Sequence, residues 1–275
     1  MFKKLARTAA YFSFILTGFY VFTSAPGFHR RDKWQFLTGW DYAHRGLYNN
    51  AKKIPENSIT AFRRAVNHGY GIELDVHLTA DNQLVVFHDD TLTRMCGINK
   101  KISRMPYSEL SQYTLLDSDE HIPLFSQILE LIDGQVPLII ELKVDNGNQN
   151  LLCPLVWQQL KSYGGNYCIE SFHPFVLQWF KRHQPQVVRG QLSCNFFKEN
   201  PHCDLVLYLM SNLMTNFFTH PDFIAYKYLD MQNPAFKLNQ KFFHIMTVAW
   251  TIPNQPAYDH YKEQVDAIIF EGFEP

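Results

Sequence analysis

Eight short runs of β-type residues recur along the chain, at 40–44, 71–76, 137–142, 167–171, 187–192, 223–228, 245–251 and 267–270, and helix-like segments fill most of the intervals. Asn57 or Ser58 is placed to cap a helix that buries Ile59, Phe62, Ala65 and Val66. Ser126 is placed to cap another that buries Ile128, Leu131 and Ile132. Residues 150–163, 174–183 and 256–264 are further helical candidates. Such alternation calls for parallel strands joined by right-handed crossovers. Eight of them close an α/β fold of the (β/α)8 TIM-barrel type, although a doubly wound open sheet has a similar pattern. A ninth run at 84–87 follows the second strand too closely for a helical crossover and reads as a hairpin. The short insertion behind it, about residues 95–123, reads as a small lip.

The length of 275 residues and an apolar content of 46% suit one barrel domain over residues 35–275. A formal net charge of −1 gives no global case for binding nucleic acid, so an anionic ligand must be held by a local cation cluster or a metal. Five scattered cysteines without a C-x-x-C pair read as buried thiols rather than a disulfide framework or a zinc site. Residues 1–34 form a separate N-terminal hydrophobic segment. In it a charge-free run, 8–28, lies between Lys3, Lys4 and Arg7 on one side and Arg30, Arg31 and Lys33 on the other. Its length suggests a membrane anchor, with the side of the membrane left open; a removed signal segment, and hence secretion, is the second reading.

Chemistry concentrates at the strand ends. Glu73 and Asp75 are two residues apart and share a face of the second strand, while Ile72, Leu74 and Val76 point the other way. Parallel strands are normally apolar on both faces, so two inward acids break the local pattern. Glu141 and Lys143 repeat the break on the third strand. Carboxylates crowded together repel and lose hydration unless a cation lies between them. Glu73, Asp75 and Glu141 therefore fit a hard divalent cation, Mg2+ or Ca2+. The competing reading is a plain Lys143–Glu141 ion pair. His44 and Arg45 end the first strand, and His88 and Asp89 end the hairpin strand. Phosphodiester cleavage needs a base for the nucleophile and an acid for the departing alkoxide, and histidine suits both near neutral pH. Arg45 and Lys143 are placed to hold the phosphate. Asp89 and Asp90 either orient His88 or simply form a turn, the turn being the first reading.

The series His44-Arg45-Gly46, Pro55-Glu56-Asn57-Ser58, Ala61-Phe62, Gly69, Glu73-Leu74-Asp75-Val76, Thr79, Asp81, Val86-Phe87-His88-Asp89, Leu92 and Arg94 resembles the glycerophosphodiester phosphodiesterase family. The likeness continues through Ile122-Pro123-Leu124, Glu141-Leu142-Lys143, Ser171-Phe172 and Val248-Ala249-Trp250-Thr251, and spans about residues 40–272. It implies a TIM barrel and hydrolysis of a glycerophosphodiester, or the headgroup of a lipid, to an alcohol and glycerol 3-phosphate. By position, His44 and His88 become the acid/base pair, Glu73, Asp75 and Glu141 the metal ligands, and Arg45 and Lys143 the phosphate contacts. The sequence departs from the family pattern at its end, where Glu271 stands in place of a Thr-Asp-x-Pro-like segment.

Trp250 reads equally as a contact for glycerol carbons or as a core aromatic. Residues 205–221 carry no Asp, Glu, Lys or Arg and hold Leu213, Met214, Phe217 and Phe218; they read as an outer helix on the barrel, or as an entrance for an acyl chain or a membrane contact. Two alternatives follow: a lysophospholipase D-like hydrolase of acylated substrates, and a non-catalytic, membrane-tethered barrel that binds phosphoglycerol groups. Neither the nucleophile (water or the substrate's own hydroxyl) nor the oligomeric state is legible.

Overall fold

The computed structural model describes residues 2–27, 34–199 and 204–275. Nine strands form in chain order: β1 (Asp41–His44), β2 (Gly71–Leu78), β3 (Leu84–Val86), β4 (Leu138–Leu142), β5 (Tyr167–Ser171), β6 (Arg189–Ser193), β7 (Phe223–Lys227), β8 (Met246–Ile252) and β9 (Ala267–Phe270). Eight are parallel, and β1 pairs with both β2 and β9, so the sheet closes into a barrel. The open-sheet alternative is thereby excluded. β3 runs antiparallel to β2, as a hairpin should.

Period-two alternation sorts the side chains. Ile72, Leu74 and Val76 face outward into the main core with Phe62, Ile128 and Ile132 from the surrounding helices. Inside the barrel, Tyr42, Ile139, Cys168, Phe223, Ala225, Met246 and Val248 pack with Leu37, and the Tyr42 hydroxyl donates to the Leu37 carbonyl at 3.0 Å. The interior is thus filled on the N-terminal side of the strands, which leaves the C-terminal rim for polar groups. Behind β3, the lip has its own small core of Val85, Phe87, Leu92, Met95, Ile102, Leu110 and Ile122.

Most expected elements fall within a few residues of their predicted bounds. Ser58 caps the helix Ile59–Asn67 by accepting from the Ala61 N–H at 3.1 Å, whereas Asn57 turns to the site. Ser126 caps nothing: its helix, Phe125–Ile132, begins one residue earlier, and the Gln127 side chain reaches back to the Leu124 N–H at 2.9 Å. Cys153, Cys168 and Cys194 are buried thiols and Cys96 is half-buried, while Cys203 lies outside the described residues.

The expected membrane anchor is not upheld. Residues 2–24 do form one helix, Phe2–Ser24, but among the described residues no helix is long and apolar enough to cross a membrane. Ser13, Thr17 and Gly18 dilute its apolar character, and its last turn belongs to the barrel. Thr23 and Ser24 are buried, the Ser24 carbonyl accepts from Asn216 at 3.0 Å, and the Gly27 N–H donates to the Pro221 carbonyl at 3.2 Å. What remains of the charge-free run is shorter than the roughly 20 residues a span needs. Residues 205–221 fold as outer helices, Leu205–Ser211 and Asn216–Thr219, with Leu213 and Met214 buried and Phe217 against Phe22 of the N-terminal helix.

One barrel position tolerates no side chain. Gly190 on β6 pairs in register with Phe223 on β7, and a methyl group at Gly190 would run into the Phe223 ring, which is fully buried. Gly190→Ala is expected to lower the urea midpoint by the equivalent of about 1–3 kcal/mol, as overpacking does. An unchanged midpoint would mean the ring has room to shift.

Candidate active site

At the C-terminal rim, Asp75, Glu141 and Glu170 occupy one register row across β2, β4 and β5. Glu73 lies one inward position below Asp75. Carboxylate oxygens of Glu73, Asp75 and Glu141 all come within 4.8 Å of one another, and the three residues are buried. The Lys143 ammonium is 2.7 Å from Glu141 Oε2 and 3.0 Å from Asp75 Oδ1, so the competing ion pair does form, inside the acid cluster rather than instead of it.

Electrostatics separates the three acids. Burial opposes ionisation of Asp75, yet Lys143, His88 and Arg45, with the Asn57 amide at 2.9 Å, hold it below the usual carboxylate range. Burial and then the charges of Asp75, Glu170 and Glu141 push Glu73 well above that range. Burial drives Glu141 up to about 7, with Asp75 adding to the rise and Lys143 working against it. Arg45 and Lys143 thus do not suffice to ionise all three acids, and Glu73 and Glu141 give up their protons fully only to a further cation. Clustered oxygen donors of this kind match the requirements of a divalent cation.

Two histidines flank this cluster in matching ways. His44 Nδ1 lies 2.7 Å from Glu271 Oε2, and His88 Nδ1 lies 2.7 Å from Asp89 Oδ1. An Nδ1–H donated to a carboxylate leaves Nε2 as the free ring nitrogen. His44 Nε2 is 3.9 Å from Glu73 Oε2. Burial lowers His44 from its ordinary pKa against the opposing pull of Glu271, and burial drives His88 down to about 4. Both rings are therefore neutral near pH 7.

A second layer fixes these groups. Arg45 takes a left-handed conformation (φ 54°) and is followed by Gly46 (φ 80°), so the chain turns sharply as β1 ends. The turn sends the Arg45 N–H to Glu73 Oε2 at 3.0 Å and its guanidinium to Glu56 at 2.8 Å. Arg94 grips Glu56 through two hydrogen bonds of 2.7 and 2.9 Å, and Asp89 through two more of 2.7 and 3.0 Å. A chain of pairs therefore links Arg45 to His88 by way of Glu56, Arg94 and Asp89. His77 on β2 adds a ring nitrogen 3.1 Å from the His88 carbonyl, and Tyr48 donates its hydroxyl to Glu271 at 3.0 Å.

A cavity of about 530 Å³ opens on this rim, lined by His44, Arg45, Glu73, His88 and Glu141, with Phe172 and Trp250 on its wall. The rings of Phe172 and Trp250 meet edge to face, 5.7 Å apart. All residues proposed from the sequence for the site thus converge, with Asp75 and Lys143 tied to the same cluster. No residue of 205–221 lines this cavity. Sequence reasoning assigned no role to Tyr48, Glu56, Arg94 or Glu170, offered Asn57 only as a helix cap, and preferred a turn for Asp89. Glu170 carried the same signal as Glu73, an acid at an inward position of a buried strand.

The model of the glycerophosphoryl diester phosphodiesterase family matches residues 44–270. Among curated proteins, the chain is 33% identical to Lysophospholipase D GDPD1 of Homo sapiens over 58% of this chain and 54% of that protein. It is 31% identical to a glycerophosphodiester phosphodiesterase of Bacillus altitudinis over 53% of this chain and 63% of that one. The chain thus spans little more than half the length of these relatives. Among solved structures, a glycerophosphodiester phosphodiesterase from Parabacteroides distasonis superposes with a TM-score of 0.64 at 26% identity, covering 85% of this chain and 94% of the other. A phosphodiesterase from Oleispira antarctica, determined with the product sn-glycerol 3-phosphate, superposes with a TM-score of 0.69 at 23% identity, covering 85% and 93%. The rim geometry and the family match over most of the chain lead to one statement: this protein belongs to the glycerophosphoryl diester phosphodiesterase family.

Proposed function

We propose that the chain hydrolyses glycerophosphodiesters to an alcohol and glycerol 3-phosphate in a metal-dependent reaction, with His44 and His88 as the acid/base pair. The observation that carries this reading is the shared cavity: two histidines with carboxylate-held Nδ1 atoms open onto the same space as Glu73 and Glu141, which cluster with the buried Asp75 behind them. A divalent cation, Mg2+ or Ca2+, held by Glu73, Asp75 and Glu141 would offset phosphate charge and polarise phosphorus toward in-line attack.

The chain's own groups account for the proton movements. One neutral imidazole accepts a proton at Nε2 from the attacking water, and the other, having taken a proton from solvent, donates it at Nε2 to the departing alkoxide; where the substrate's own hydroxyl attacks first, water opens the resulting cyclic phosphate in a second step. Asp89 and Glu271 stabilise the imidazolium formed at each ring and hold the tautomer. Arg45, already oriented by Glu56, and Lys143 contact the phosphate oxygens. Trp250 offers an apolar face to the glycerol carbons. A headgroup-sized substrate is the first reading, because the cavity of about 530 Å³ is lined mainly by charged and polar side chains.

EDTA is expected to abolish hydrolysis of glycerophosphoethanolamine, and added Mg2+ or Ca2+ to restore it; turnover indifferent to chelation sinks the metal assignment. His44→Ala and His88→Ala should each lose about 10²–10⁴-fold in kcat. Near-normal turnover of either variant removes that ring from the mechanism.

A further prediction concerns pH. Glu271 is pulled down to about 2, first by its hydrogen bond with His44, and its charge in turn holds the His44 pKa up against burial. Glu271→Gln removes that support, so the limb of the kcat/KM profile belonging to His44 should move to lower pH. The accompanying loss should be about 10–100-fold, the usual cost of removing a group that orients a histidine. A profile with neither limb displaced would contradict this pairing.

A further inference from the structure

Glu170 on β5 is a fourth acid of the rim. It is 1% exposed, it lines the cavity, and its Oε2 is buried with no hydrogen-bond partner among the described residues. An acid sequestered from water and left unpaired costs free energy that a bound group would recover. Yet Glu170 falls outside the trio whose oxygens lie within 4.8 Å of one another. It stands one strand beyond Glu141, on the side away from Asp75. Adjacent strands are about 4.8 Å apart. That step leads from the acids and Lys143 toward the wall formed by Phe172, Leu192 and Trp250.

We infer that Glu170 recognises the hydroxyl groups of the glycerol moiety, as a specificity-determining residue beside the phosphate. The inference rests on the glycerophosphodiester reading above and adds to it the group that distinguishes glycerol from any other alkyl arm. Three features favour a hydroxyl over an ammonium. Arg45 and Lys227 line the same cavity, and Lys143 lies among its acids, so a substrate cation would meet protein cations on several sides. A hydroxyl donates to a carboxylate and accepts from a carboxylic acid, so it fits Glu170 in either protonation state. The edge-to-face pair of Phe172 and Trp250 supplies an apolar surface for carbon next to the polar oxygen, the pairing a polyol arm requires. Trp250 Nε1 is likewise buried without a partner. It offers a donor on the same wall.

The test compares two phosphate monoesters that differ only in their hydroxyls, sn-glycerol 3-phosphate and n-propyl phosphate. Both are titrated calorimetrically into the full chain in the presence of Mg2+. The wild-type chain is expected to prefer sn-glycerol 3-phosphate by roughly ten-fold or more, as hydrogen bonds to a buried charged or polar group provide. Glu170→Leu should bring the two affinities within about two-fold by weakening the glycerol ester alone. Glu170→Ala removes the same oxygens and is read in the same way if leucine prevents folding. A wild-type chain with no preference overturns the inference. So does a variant that weakens both esters in parallel along with Mg2+ binding, since Glu170 would then act through the metal ligands. If the preference appears and is lost as expected while glycerophosphodiesters remain uncleaved by the wild-type chain, the reaction proposed above fails and the hydroxyl subsite stands.

Discussion

Glu73, Asp75 and Glu141 bring three carboxylates into a space from which water is largely excluded. Two unit charges about 4 Å apart repel by about 4 kcal/mol at an effective dielectric near 20, before any loss of hydration is counted. A barrel interior offers no apolar reason to keep such a group, so the surrounding structure must hold it. Lys143 binds Asp75 and Glu141, the Asn57 amide also binds Asp75, and Glu73, held by the Arg45 backbone N–H, remains the least compensated. The cluster is stable to the extent that cations are gathered around it, and that same gathering of cations suits a phosphodiester.

The acid/base pair depends on this arrangement through geometry. Each imidazole is fixed at Nδ1, so its other nitrogen has one direction to face. Fixing is indirect but extensive on the His88 side, where Arg94 ties Asp89 to Glu56 and Glu56 ties Arg45. Arg94 comes from the short helix Thr93–Cys96 that leads into the lip behind β3, so this part of the chain supplies a group of the site. The lip's own small core holds the helix that presents Arg94. Preorganisation of this kind reduces the reorganisation needed when substrate charge develops, which is where electrostatic catalysis gains most.

The fold was readable because its signal is repetitive. Eight strands with outward apolar residues cannot avoid announcing themselves, and errors such as Ser126 concern one residue at a helix start, where local hydrogen bonds decide. Within the site, Glu73, Asp75 and Glu141 were legible as acids on strands that should be apolar, and the histidines by their place at strand ends. Glu56 and Arg94 were not assigned and Asn57 was offered only as a helix cap, because their partners lie far along the chain and a lone polar residue in a loop carries no periodicity. Asp89 was misread since an acid beside another acid after a strand is also ordinary turn chemistry. The N-terminal run misled for a different reason. Composition and length suggested lipid, whereas the final turn of the helix is occupied with Asn216 and Pro221 of the barrel.

Glu271 joins fold and site in a single contact. It follows β9, the last strand, yet it holds the histidine that ends β1, the first. In an open doubly wound sheet those two strands need not be neighbours, and Glu271 would have no fixed relation to His44. Here β1 lies between β9 and β2, so His44 meets Glu271 on one side and Glu73 on the other. The departure from the family pattern at this end of the chain therefore does not leave the ring unsupported; a glutamate reaches Nδ1 from the closing strand, with the Tyr48 hydroxyl on the same oxygen. Closure of the barrel and orientation of one half of the acid/base pair are consequently the same event. A change that loosens the β1–β9 seam would disturb His44 before it disturbs His88, whose direct contacts are with Asp89, which follows β3, and His77 on β2.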